Sequence, residues 1–92
     1  MVKVTFRVHA IQRMFQRSIS VDEVRQVLAI GEVIEHYPDD TPYPSSLILG
    51  WIKGRPIHVV AAYNSKEEET IVITVYEPDP LQWDQDFRKR IK

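Results

Sequence analysis

The sequence predicts an α+β domain in which two N-terminal helices pack on one face of a four-stranded, mainly antiparallel sheet, with a short C-terminal helical tail. Three observations predict it. Residues 8–30 carry apolar positions at helical spacing, and residues 32–76 carry four runs rich in β-branched side chains set apart by turn signals. The chain has 92 residues, 43% of them apolar, which suits one domain with one core.

Taken in order, Val2–Phe6 reads as a short edge strand or an extended lead-in. Val8–Arg17 is an amphipathic helix with Ala10, Ile11, Met14 and Phe15 on its apolar side and His9, Gln12, Arg13 and Gln16 on the other. Ser20-Val21-Asp22-Glu23 has capping-box form, and the helix it opens carries Val24, Val27 and Leu28 as its core stripe and stops at Gly31. Glu32–Tyr37 is a strand. Pro38–Pro44, with three prolines in seven positions, is a rigid connection. Ser46–Ile52, Arg55–Tyr63 and Thr70–Tyr76 form a meander with the middle run at its centre, joined by a tight turn at Lys53-Gly54 and a polar loop over Asn64–Glu69. Asp79-Pro80 has the form of a helix start, and Trp83 and Phe87, four apart, fall on the buried side of the tail it would open.

A two-residue turn at Lys53-Gly54 pairs Ile52 with Arg55 and puts Trp51 and His58 on one face. Pairing Tyr63 with Thr70 puts Val72, Thr74 and Tyr76 on the Arg55 side, and the first hairpin adds Glu35 and Tyr37 there. The opposite side gathers Leu47, Leu49, Trp51, Val60, Ile71, Ile73 and Val75 around His58 and is the expected seat of the helices. The Arg55 side is then where a polar substrate would lie.

Net charge is −1, which argues against a uniformly basic coat for nucleic acid, but the charge is unevenly spread. Residues 1–30 hold five basic and two acidic side chains, residues 31–77 hold three and eight, and the tail Arg88–Lys92 is basic again, either as a phosphate contact or as a solvated terminus. With no cysteine there is no disulfide framework and no thiolate metal site, which fits a reducing cytosol. No run has the length of a signal or membrane segment, so a cytoplasmic chain without membrane contact is expected. Three histidines without metal-ligand spacing leave no metal or cofactor expected.

The words His9-Ala-Ile-Gln-Arg-Met-Phe-Gln-Arg17, Ile19-Ser-Val-Asp-Glu-Val24, Gly54-Arg-Pro-Ile-His-Val-Val60 and Ile73-Thr-Val-Tyr-Glu-Pro78 closely resemble the domain-of-unknown-function family 4258. The resemblance covers nearly the whole chain. It implies a small α+β domain akin to the RelE-like toxins, within the ribonuclease superfamily that takes in barnase, EndoU and colicin nuclease domains. Members of that superfamily cut RNA without a metal, using basic and hydroxyl side chains from the sheet and a nearby helix. By position, Arg55 matches the basic strand residue of that pattern. Thr74 and Tyr76 match the hydroxyl-bearing end of the last strand, and His9, Arg13 and Arg17 match the first-helix words of the narrower family.

On this reading RNA is the substrate, and an antitoxin-like protein holds the toxin in check. His9, Arg55, Thr74 and Tyr76 form the catalytic set and Arg13 and Arg17 bind phosphate, since metal-free cleavage needs a base, an acid and a cation near the phosphate. Each has a plain structural alternative. Arg55 can pair with Glu35 at the surface, Tyr76 can pack under Trp83, and His9, Arg13 and Arg17 can be a solvated helix face. His58, in the most apolar run of the chain, is expected to be a buried structural histidine. The competing function is a non-catalytic toxin-like fold that serves as a protein-interaction module.

Overall fold

A computed structural model describes residues 3–91. Both helices form where their spacing puts them: α1 is Val8–Arg17 and α2 is Val21–Ile30. Ser18 closes α1 in the left-handed region, and the Ile19 N–H returns to the Met14 carbonyl. Ser20 then caps α2 through a complete capping box, its hydroxyl accepting from the Glu23 N–H while the Glu23 carboxylate accepts from the Ser20 N–H.

The strands are β1 (Lys3–Phe6), β2 (Glu32–Tyr37), β3 (Ser45–Ile52), β4 (Arg55–Asn64) and β5 (Glu69–Tyr76), in the spatial order β1-β5-β4-β3-β2. This corrects the expected sheet, which has five strands rather than four and is mixed. β1 joins β5 in parallel, while the other three pairings are antiparallel. Four residues carry too little pattern to announce a strand, and β1 is fixed instead by its ladder to β5, from Lys3 opposite Glu69 to Phe6 opposite Val72. The expected start at Val2 lies outside the described residues. β4 is central, as its apolar loading predicts.

The helical tail is also corrected. After Asp79 only one turn forms, with the Trp83 N–H reaching the Asp79 carbonyl. The Asp84 carboxylate then accepts from the N–H groups of Asp86 and Arg88, offering the backbone an alternative to the helix, and Phe87 takes a positive φ of 60°. Residues 79–91 therefore cross the sheet as an irregular strap, tied by a bridge between Trp83 and Arg90. Of the expected basic tail Arg88–Lys92, only Lys92 lies outside the described residues, and Arg88 and Arg90 pair with Glu32 and Glu35.

Lys53 and Gly54 both have positive φ, 52° and 80°, the two-residue turn that the hairpin requires. Every β3–β4 pair follows the predicted register, from Ile52 opposite Arg55 to Ser45 opposite Ala62. Between β4 and β5 the register begins as predicted, with Tyr63 opposite Thr70, and then shifts by one residue between Val60 and Ala61. The extra residue, Ile73, is a β-bulge that brings Thr74 opposite Val60 and Tyr76 opposite His58.

The helices occupy the other face from the one expected. Their core joins Ala10, Met14, Val24 and Val27 to Ile52, Ile57, Val59, Ala61, Val72 and Val75. Gly50 explains the choice, because a Cβ there would lie 2.6 Å from a methyl of Val27; only a bare backbone lets α2 come so close. Ile11 and Phe15, expected in the core, face solvent instead. Among the described residues no helix is long and apolar enough to cross a membrane.

Candidate functional site on the helix-free face

With the helices on the far side, the opposite face of the sheet carries Leu47, Leu49 and Trp51 from β3, His58 and Val60 from β4, Thr74 and Tyr76 from β5, and Glu35 and Tyr37 from β2. The alternation of a strand puts Glu35 and Tyr37 together, two residues apart, and a register shift between Val33 and Glu35 sets them opposite Leu47 and Ser45. The strap closes over part of this face. Trp83 is buried, its ring edge-on to His58 at 4.5 Å, and Phe87 meets Trp51 at 5.9 Å.

His58 is fully buried and both ring nitrogens are engaged. Nε2 lies 2.9 Å from the Phe87 carbonyl, which can only accept, so Nε2 carries the proton and Nδ1 is the acceptor. The Tyr76 hydroxyl, 3.2 Å from Nδ1, therefore donates to it. Burial lowers the His58 pKa from its ordinary value, outweighing the hydrogen bond to Phe87, and the ring stays neutral. Burial likewise raises the Tyr76 pKa.

Beside this pair is a charged group open to solvent. The Tyr37 hydroxyl donates to Glu35, and the Arg90 guanidinium reaches the same carboxylate at 3.4 Å while lying 4.6 Å above the Trp83 ring. The hydrogen bond from Tyr37 lowers the Glu35 pKa, more than burial raises it, and Arg90 adds to the lowering. Burial and donation to Glu35 raise the Tyr37 pKa. At neutral pH the face thus presents one ionised carboxylate, one permanent cation and two protonated phenols. The side chains of Glu35 and Arg90 are 27% and 50% exposed, so a ligand can reach both.

The residues singled out in the sequence divide between the two sides of the sheet. Thr74 and Tyr76 lie on this face. His9, Arg13 and Arg17 are exposed on α1, on the helical side. Arg55 is opposite Ile52, also on the helical side, where it donates to the Arg17 carbonyl at 2.9 Å and pairs with Glu77 at 3.2 Å. It satisfies a carbonyl at the C-terminal end of α1, and its expected partner Glu35 pairs with Arg90 instead. The meeting of Arg55 and Tyr76 on one face depended on an unbroken β4–β5 ladder, and the bulge at Ile73 undoes it. Glu35, Tyr37 and Arg90 were not in the predicted catalytic set. Glu35-His36-Tyr37 is the period-two signal for the first two, but nothing in residues 79–91 shows that the tail would fold back to bring Arg90 beside them. Among the described residues no three His, Asp or Glu side chains converge as a metal-binding group.

A family model described as a domain of unknown function, DUF4258, matches residues 6–77, which leaves the strap beyond the match. No curated protein and no solved structure matches the chain.

Proposed function

The chain belongs to the DUF4258 family, a domain of unknown function, and from that premise and the geometry of the helix-free face we propose that it is a metal-independent RNA endonuclease of toxin type. The kinship with RelE-like toxins suggested by the motif words is part of the proposal, as is an antitoxin-like partner that restrains the enzyme. One observation carries it: the Glu35 carboxylate, the Arg90 guanidinium and the Tyr37 hydroxyl form one bonded, solvent-reachable group on the same sheet face as Tyr76.

Each group has a step that its chemistry suits. Glu35, held ionised, takes the proton of a ribose 2′-hydroxyl, and that oxygen attacks the adjacent phosphorus. Arg90 offers a planar, permanently charged fork to the phosphate oxygens as charge accumulates there. The P–O5′ bond breaks, and the departing oxygen takes a proton from solvent water, since the Tyr76 proton is held by His58 Nδ1. The products are a 2′,3′-cyclic phosphate and a 5′-hydroxyl. His58 positions Tyr76 through Nδ1, and Thr74 lines the same face.

The test is a fluorogenic mixed-sequence RNA incubated with purified protein in EDTA. Cleavage to cyclic-phosphate ends is expected, and Glu35→Gln is expected to slow it by about 10²–10⁴-fold, the usual worth of a positioned base. No cleavage above buffer would reject the nuclease reading and leave the interaction module. That second reading has its own observation: among the described residues every buried side-chain polar atom has a partner, as in a face built for stability.

A further inference from the structure

The outer side of α1 is more apolar than a solvated helix needs to be. Val8, Ile11 and Phe15 are 71%, 51% and 88% exposed, and their i, i+3, i+7 spacing makes them one continuous ridge. On a helical projection Gln12 and Gln16 form the crest beside the ridge, and beyond them His9 and Arg13 form a basic flank. α1 contains no acidic residue. Among the described residues Arg7, Arg13 and Arg17 make no side-chain ion pair, whereas Arg55, Arg88 and Arg90 all do.

From this we infer that α1 is a docking surface for an acidic amphipathic helix of a partner protein. Such a helix would lay its apolar stripe on Val8, Ile11 and Phe15 and set glutamates or aspartates across the glutamine crest against His9 and Arg13. Charge complementarity selects this occupant. Two of the three ridge residues are aliphatic, so they offer nothing for a nucleobase to stack on and instead match aliphatic side chains. A second copy would bring its own acid-free helix and set like charges near one another. A bilayer would meet an apolar strip only three side chains long beside a polar, uncharged crest, much less than an interfacial helix usually buries. The inference does not depend on the RNA-cleavage reading, because α1 lies across the sheet from Glu35 and Arg90.

The probe is a fluorescein-labelled synthetic helix of about three turns, with leucines on one stripe and glutamates on the flank, read by fluorescence anisotropy at low and high salt. Its controls are a scrambled peptide of the same composition and one with lysine in place of glutamate. Binding to the wild-type chain is expected only for the acidic amphipathic peptide, and it should weaken with salt. Phe15→Ser and Arg13→Glu should each weaken it by about tenfold or more, while the melting temperature stays unchanged because both side chains are exposed. Equal binding of the scrambled peptide, or of the Phe15→Ser variant, would overturn the inference. So would a dimer in light scattering that Phe15→Ser dissolves, which would make a second copy the occupant. Binding to anionic vesicles or to a labelled single-stranded RNA without binding to the peptide would overturn it as well.

Discussion

His58 has both ring nitrogens bonded and no exposed surface, so its protonation is coupled to folding. The folded pKa lies below the unfolded value of 6.5 because the charged form is desolvated. Below about pH 6.5 the unfolded chain therefore binds more protons than the folded one, and stability falls as pH drops, by up to about 1.4 kcal/mol per pH unit. Glu35 acts in a lower window. Its folded pKa is depressed, so its contribution is fully present above the ordinary carboxylate value and is lost as pH falls from there through the lower, folded pKa. Melting curves should thus be flat from pH 8 to 7 and shift downward from pH 6.5 to 5. An unchanged midpoint over that range would contradict the buried, neutral assignment. His58→Ala should cost about 2–4 kcal/mol in denaturant melts, from the cavity and from the polar partners it strands.

Among the secondary-structure elements, the second helix depends on two small residues. Ser20→Ala removes one half of the capping box and should lower stability by about 1 kcal/mol. Gly50→Val places side-chain atoms where Val27 already sits and should cost about 1–3 kcal/mol, or more if α2 cannot shift. Urea titrations of the two variants check both values. The same elements show what could be read from the chain alone. Capping box, hairpin turn, central strand and the β3–β4 register all follow local rules, and they stand where the residues put them. Ile73 was illegible, since an apolar β-branched residue looks the same in a ladder and in a bulge. One inserted position moved Tyr76 from Arg55 to His58, and the candidate site moved with it. The face chosen by the helices was equally hidden, because both sides of β3 and β4 are apolar and only the clearance at Gly50 distinguishes them.

For the molecule as a whole, the strap completes the fold by covering apolar surface that the helices leave open. Trp83 anchors it, and Trp83→Ala should cost about 3–5 kcal/mol, a large share of what a domain this size has to lose. Arg88→Ala, which breaks an exposed pair with Glu32, should leave the thermal midpoint almost unchanged. Equal effects of these two changes on the thermal midpoint would show that the strap is held by charge and not by burial. Two sides of the molecule then have separate work. The helix-free face holds the group proposed for cleavage, and the helical side holds Arg55 as a strut and the ridge proposed for a partner.

The measurement that tests this division most directly compares initial rates of metal-free RNA cleavage for Glu35→Gln and His9→Ala, each shown by circular dichroism to be folded. Glu35→Gln should fall by about 10²–10⁴-fold, while His9→Ala, across the sheet, should stay within about twofold of the wild type. The reverse pattern, with His9→Ala inactive and Glu35→Gln unchanged, would place the chemistry on the helical side and contradict the account.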